Sequence, residues 1–282
     1  MEEITQQPNS SATSVGKQSS VTGDLRVHEF ASRVFRNTRK LRMWLPPRYD
    51  AAENKTRRYP VLYLNDGQNL FDRATAYAGV EWQADETADR LIRQEEIPPL
   101  VIVGIDNAQN DRMKEYIPYR SLQPRILWPR GRDYPEFLIG EVMPFVRQKY
   151  RVASGPENIG LGGSSLGALI SLHTVLERPE VFGRLLLESP SLQISHRRVL
   201  KCSRFFEQWP DKIFLAIGTR ESGREDKDRQ SVEDVRELER TLRRSGLDDK
   251  RLRVRIDEGA THSEGEWAKR FPQALAFLFG NG

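Results

Sequence analysis

The chain has 282 residues, of which 38% are hydrophobic and 30% are charged, and its mean hydropathy is -0.63. This composition fits a globular protein and excludes a collagen-like, coiled-coil or wholly disordered chain. The formal net charge is +4, but basic and acidic residues are interleaved, which favours a mixed surface over a nucleic-acid partner. With Cys202 as the single cysteine, no intramolecular disulfide and no zinc site built from several cysteines can form.

Residues 1–23 are rich in Ser, Thr, Gln and Asn and show no periodicity, which predicts a disordered tail. They lack the basic stretch followed by an apolar segment that marks an export signal, so a cytoplasmic location is expected. The apolar runs further along the chain are far shorter than the roughly 20 residues that a membrane span needs. We therefore expect one domain over residues 24–282, with neither a membrane nor a nucleic acid as partner.

Two alternating segments follow the tail and predict an antiparallel hairpin over residues 25–35 and 39–45. Short apolar runs then predict strands buried on both faces of a parallel sheet, at residues 60–64, 100–105, 158–161, 184–187, 213–217 and 252–256. Helical patterns lie between and after them, at residues 80–93, 134–147, 166–177, 231–245 and 265–279. Ser231 with Asp234 indicates the start of the fourth helix, and Gly246 indicates its end. This alternation predicts an α/β fold with one mostly parallel sheet and helices on both faces.

The strongest motif is Gly163-Ser164-Ser165-Leu166-Gly167, which fits G-x-S-x-G between a predicted strand and a predicted helix. This is the context of a nucleophile elbow, in which a serine occupies a strained turn and the flanking glycines make room for the crowded backbone. Ser164 is a rival nucleophile, but only Ser165 has glycine at both flanking positions. The motif therefore predicts Ser165 as the nucleophile.

An elbow serine needs an acid and a histidine base, which follow it along the chain in that order. His262 lies in a predicted loop, residues 257–263, after the last strand, and is the predicted base. Glu221 follows the strand at 213–217 and is the predicted acid, which would hold the imidazole in one tautomer. Other acids nearby remain alternatives, namely Glu188, Glu225, Asp226 and Asp228.

The oxyanion hole of such a site takes two backbone N–H donors, one after the nucleophile and one from the loop after the first parallel strand. Leu166 supplies the first donor. The second is expected from Gly67 or Gln68 in the turn at residues 65–69, unless that turn is only a connection.

Together these motifs resemble the putative-esterase group of α/β-hydrolases, which contains esterase D, enterochelin-type siderophore esterases and feruloyl or acetylxylan esterases. The resemblance covers about residues 25–282 and includes the stretches 61–72, 103–107, 188–191, 218–221 and 259–263. It implies an α/β-hydrolase domain that hydrolyses carboxylic esters with neither a metal nor an organic cofactor. Two positions depart from the pattern: Asn65, where relatives often have His, and Ala168, where they often have Gly.

Asn69, Arg112 and Trp128 are the predicted substrate-binding residues. Arg112 could pair with a carboxylate or polarised oxygen of the substrate, or instead with Glu115. Trp128 could form an aromatic wall or anchor its own loop. The expected substrate is a small or medium ester of siderophore, acetyl or aryl type. The alternatives are a thioesterase of the S-formylglutathione hydrolase type and a non-catalytic binding module on the same fold, and the oligomeric state stays open.

Overall fold

The computed structural model describes residues 19–280. Most of the predicted tail lies outside this range, so its predicted disorder stays a prediction. The last residues of that segment, 19–23, lie against the domain. The N–H of Thr22 donates to Asp85 at 2.6 Å, and the indole of Trp44 donates to the Thr22 carbonyl at 2.9 Å.

A mixed sheet of eight strands forms the centre of the domain. The strands are β1 Asp24–Ser32, β2 Asn37–Leu45, β3 Val61–Asn65, β4 Val101–Ile105, β7 Ile159–Ser164, β8 Arg184–Glu188, β9 Lys212–Arg220 and β10 Leu252–Thr261, while β5 Ser121–Leu122 and β6 Arg125–Ile126 form a separate small pair. The order across the large sheet is β1-β2-β4-β3-β7-β8-β9-β10. The pairs β1–β2 and β2–β4 are antiparallel, and all other neighbours are parallel. The predicted hairpin and mostly parallel sheet are therefore confirmed.

Helices cover both faces of this sheet. They are α1 Ala84–Arg93, α2 Arg112–Tyr116, α3 Tyr134–Glu136, α4 Met143–Lys149, α5 Leu166–Glu177, α6 Ile194–Ser203, α7 Glu225–Arg244 and α8 Glu264–Phe279, with a π-helical stretch, Phe137–Val142, between α3 and α4. One apolar core contains side chains of α1 and α8, including Leu91 and Phe271. The core on the other face contains side chains of α5 and α7, including Leu169 and Leu238. The nucleophile motif therefore leads into a helix that is buried in the second of these cores.

Three elements of the structure differ from the prediction. Helix α7 begins at Glu225 rather than at Ser231, because its first turn carries acidic residues that suit a helix N-terminus. Helix α6 was not predicted. Strand β10 continues to Thr261, with a register shift between Asp257 and Thr261, so most of the predicted loop before His262 is strand.

Candidate active site

Ser165 occupies the turn between β7 and α5 with φ 55° and ψ -121°, dihedral angles that are costly for a residue with a side chain. Neighbouring backbone and side-chain atoms come very close to this turn. A Cβ added to Gly163 would lie 3.0 Å from the carbonyl carbon of Gly167 and 3.1 Å from Cβ of Asn65. This tight packing favours glycine at position 163, and the turn has the strained geometry expected of a nucleophile elbow.

The Ser165 hydroxyl has a serine as its hydrogen-bond partner. Its Oγ lies 3.2 Å from Oγ of Ser191, and the Ser191 N–H donates to the Ser165 carbonyl at 3.2 Å. Within residues 19–280, Ser165 makes no hydrogen bond to His262. Catalytic hydrogen bonds of ligand-free enzymes are often long or misaligned and tighten when substrate binds, so this arrangement fits a resting state.

The predicted acid and base are in direct contact. Nδ1 of His262 donates to Oε2 of Glu221, whose side chain is only 6% exposed. The other carboxylate oxygen, Oε1, accepts from the N–H of Gly218 at 2.7 Å and from the hydroxyl of Ser189 at 2.8 Å. Burial opposes ionisation most strongly, but these hydrogen bonds and the nearby imidazole outweigh it and lower the pKa of Glu221. Glu221 is therefore held as a carboxylate that faces His262.

The rival acids lie elsewhere. Glu188 is fully buried and pairs with Arg270 at 2.7 Å. Asp228 accepts hydrogen bonds from the N–H and hydroxyl of Ser222, at 2.6 and 2.7 Å. Glu225 and Asp226 are exposed at the start of α7 and pair with arginines of their own segment. Of the five candidate acids, Glu221 is the one that contacts His262.

The turn after β3 comes close to both β4 and α5. Asp66 adopts a left-handed conformation with φ 59°, and a Cβ on the next residue, Gly67, would lie 2.5 Å from the carbonyl carbon of Gly104. Asn65, one of the two departures noted above, donates to the Gly167 carbonyl at 3.0 Å and to the Ser171 hydroxyl at 2.9 Å. These bonds fix the turn against the helix that follows Ser165.

Arg112 has a partner that the sequence analysis did not consider. Its guanidinium binds the carboxylate of Asp66 through two hydrogen bonds of 2.7 Å. The alternative pairing with Glu115 is wrong, because the Glu115 carboxylate is taken by the buried Arg39 at 2.7 Å. Through Asp66, Arg112 supports the turn that contains Gly67.

A polar cleft of about 740 Å³ runs beside this turn and is lined by Gln68, Asn69 and Arg112. Asn69 is nearly buried and also bonded within the fold, since its Oδ1 accepts the Tyr77 N–H at 3.0 Å. Trp128 is not part of this cleft. Its side chain is 74% exposed and borders a separate surface groove, so the structure brings two of the three predicted substrate-binding residues together.

Three residues of the site were given no role by the sequence analysis. Ser191 contacts the Ser165 hydroxyl, and Ser189 contacts Glu221. The ring of Trp267 packs edge-on against His262, with centroids 5.0 Å apart. The two serines follow β8 in the stretch 188–191, which supported the family resemblance. Their position after the carboxyl end of a parallel strand was the signal that could have indicated a place in the site.

Between residues 19 and 280, no cluster of three or more His, Cys, Asp or Glu side chains could hold a metal ion. Nor does any helix in that range combine the length and apolar character needed to cross a membrane.

A mostly parallel sheet with a serine on a strained strand-to-helix turn defines an α/β-hydrolase. The family model described as "Putative esterase" matches residues 32–278. The chain belongs to this family and is a carboxylesterase-type hydrolase.

Several known proteins are similar to this chain. The uncharacterized protein YbbA of Bacillus subtilis is 26% identical, over 86% of this chain and 93% of its own length. The ferri-bacillibactin esterase BesA of Bacillus subtilis is 23% identical, over 67% of this chain and 69% of its own. Among solved structures, the BES protein from Bacillus cereus superposes with a TM-score of 0.72 at 19% identity, covering 95% of this chain and 99% of that one.

Proposed function

We propose that the protein is a serine esterase whose catalytic triad is Ser165, Glu221 and His262. The observation that carries this proposal is the contact between the Glu221 carboxylate and Nδ1 of His262. This contact lies at the carboxyl ends of β9 and β10. The strained turn after β7 holds Ser165 at the same end of the sheet. A buried carboxylate on Nδ1 leaves Nε2 free to accept a proton.

In the first half of the reaction, the Ser165 hydroxyl turns from Ser191, passes its proton to Nε2 of His262 and attacks the ester carbonyl carbon. Glu221 stabilises the imidazolium that forms. The negative charge that develops on the carbonyl oxygen is accepted by the backbone N–H of Leu166 and by that of Gly67 or Gln68. Leu166 begins α5 and Gly67 begins a 3₁₀ turn, so these N–H groups precede the first hydrogen bond of their helices.

Collapse of this intermediate breaks the ester bond, and the imidazolium protonates the departing alcohol. The acyl group stays on Ser165. In the second half, His262 takes a proton from water, the resulting hydroxide attacks the acyl carbon, and the acid leaves as Ser165 recovers its proton.

We further propose small or medium esters of siderophore, acetyl or aryl type as substrates. The cleft of about 740 Å³ beside the turn at residues 65–69 is large enough for part of such a molecule. Ser165, Glu221 and His262 do not line this cleft, so the ester would have to extend from it past the turn to Ser165. Its polar lining, which includes Gln68 and Arg112, suits an ester whose acyl or alcohol part carries hydrogen-bonding groups. The name of the relative BesA, a ferri-bacillibactin esterase, supports the siderophore type.

The test is hydrolysis of p-nitrophenyl acetate and butyrate by the wild type and by Ser165→Ala, Glu221→Ala and His262→Ala. We expect Ser165→Ala and His262→Ala to lower kcat by about 10³-fold or more, and Glu221→Ala by about 10²- to 10⁴-fold. Ser203→Ala is a matched control, because its buried hydroxyl bonds within α6 to the Leu200 carbonyl, at 2.7 Å, and to no other group of residues 19–280.

Three outcomes would count against the proposal. An inert wild type would favour a binding module on a hydrolase fold, and a Ser165→Ala variant as active as the wild type would exclude Ser165 as the nucleophile. A much higher kcat/KM for S-formylglutathione than for any oxygen ester would favour the thioesterase alternative.

A further inference from the structure

Ser189 lies behind the proposed catalytic acid, at the end of β8. It is buried, and its hydroxyl donates to Oε1 of Glu221 at 2.8 Å. Two other side chains donate to the same hydroxyl oxygen. The indole N–H of Trp267 does so at 3.1 Å, and Nη2 of Arg270 at the longer distance of 3.5 Å. Ser189 therefore connects α8 to Glu221.

These partners fix the direction of the Ser189 hydrogen bond. An indole N–H and a guanidinium can donate but cannot accept, so the Ser189 oxygen acts as acceptor toward both. Its single proton then has one acceptor among the described partners, the Glu221 carboxylate. A hydroxyl without these donors could rotate and leave Glu221, whereas this one is held on it.

Arg270 is held in place by other groups. Its side chain is 1% exposed, and it binds Oε2 of Glu188 at 2.7 Å and approaches Asp257 at 3.5 Å. Burial raises the pKa of Glu188 to about 7 although Arg270 lies beside it. Because Arg270 serves these two carboxylates, Trp267 is the nearer and more directed donor to Ser189.

We propose that Ser189 is a positioning residue that holds one oxygen of Glu221 so that the other faces Nδ1 of His262. This inference rests on the proposed triad. Loss of the Ser189 bond leaves the carboxylate less well solvated and more basic, so it binds the imidazolium more tightly. The coupled Glu221–His262 pair then keeps its proton to a higher pH.

Several charged groups surround the pair: Glu188 from β8, Asp257 from β10, and Glu264 and Arg270 from α8. Ser189→Ala changes none of these charges. A shift in the titration of the pair on this substitution therefore reports the lost hydrogen bond and no change in net charge.

The experiment follows the imidazole signals of His262 by NMR as a function of pH, assigned by comparison with His262→Ala. We expect Ser189→Ala to move the midpoint upward by about half to one pH unit. Catalysis of p-nitrophenyl acetate should show an acidic limb of kcat/KM that moves in the same direction. We also expect kcat to fall about tenfold, equivalent to ~1.4 kcal/mol, with KM within about twofold.

Ser203→Ala serves as the control. It removes a buried hydroxyl that donates to the Leu200 carbonyl within α6, and it should leave the midpoint unchanged. A midpoint that stays at the wild-type value, or moves downward, in Ser189→Ala would overturn the proposal, whatever happens to the melting temperature. The NMR midpoint needs no turnover, so it separates failure of this inference from failure of the proposed esterase reaction.

Discussion

Gly67 belongs to the turn at residues 65–69, which carries a proposed oxyanion donor, and it lies where this turn touches the neighbouring strand, so an added methyl group has no room. In Gly67→Ala the new Cβ would lie 2.5 Å from the Gly104 carbonyl carbon and 2.7 Å from the Ile105 nitrogen, whereas ordinary contacts begin at 3.4 Å. Both neighbours are backbone atoms, so the turn itself must move. The shift needed is about 0.9 Å, the difference between the 3.4 Å of an ordinary contact and the 2.5 Å found here. A misplacement of about 1 Å typically costs about 10²-fold in rate. Loss of one oxyanion donor costs about 10²- to 10³-fold in kcat.

We therefore expect Gly67→Ala to lower kcat for p-nitrophenyl acetate by about 10²-fold or more, with a lower melting temperature. The matched control is Gly265→Ala in the first turn of α8, where the new Cβ would meet nothing nearer than Val80 at 3.9 Å. That variant should keep wild-type kinetics and gain up to about 1 kcal/mol in stability from helix propensity. Wild-type kcat and melting temperature in Gly67→Ala would refute the reasoning, because they would mean that the turn does not depend on this close contact.

Two further predictions concern charged groups. Asp85 is fully buried, and burial raises its pKa to about 8, whereas an unfolded chain ionises it near 3.9. Stability from this group is thus present below about pH 4 and lost as the pH rises toward 8. Asp85→Asn should raise the melting temperature at pH 8 and change it little at pH 4.5, and an equal change at both pH values would contradict this. Arg112→Lys keeps the charge but loses the two-pronged bond to Asp66. We expect kcat to fall about tenfold at nearly constant KM, and a rise in KM alone would instead indicate direct substrate binding.

The sheet and the helix after the nucleophile were predictable because their patterns are local. Strands buried on both faces are read as short apolar runs. Helix α5 covers Leu166–Glu177, the same bounds as the sequence predicts, because strand, elbow glycines and apolar helix follow one another directly. Placing Ser165, Glu221 and His262 at one edge needed only the rule that parallel strands end together, and their catalytic roles remain a prediction.

The contacts that join the loops were not predictable in this way. Ser165 and Ser191 are 26 positions apart, and Ser189 and Trp267 are 78 positions apart. No periodic pattern encodes such pairs, because they depend on how separate loops meet above the sheet. Arg112 illustrates the difficulty. Glu115, three residues away in sequence, was the nearby candidate partner, yet in the fold Glu115 pairs with Arg39 and Arg112 pairs with Asp66. Trp128 had no signal that distinguished an exposed position from a cleft wall.

The two apolar cores on opposite faces of the sheet each hold one part of the proposed triad. Ser165 leads into α5, which is buried in one core, and His262 leads into α8, whose Trp267 and Phe271 belong to the other. Nucleophile and base therefore keep their alignment only while both layers stay docked on the sheet. Enzymatic activity therefore reports whether both helical layers are packed on the sheet. Loss of either layer alone would abolish activity, even in a partly folded chain that kept most of its secondary structure as measured by circular dichroism.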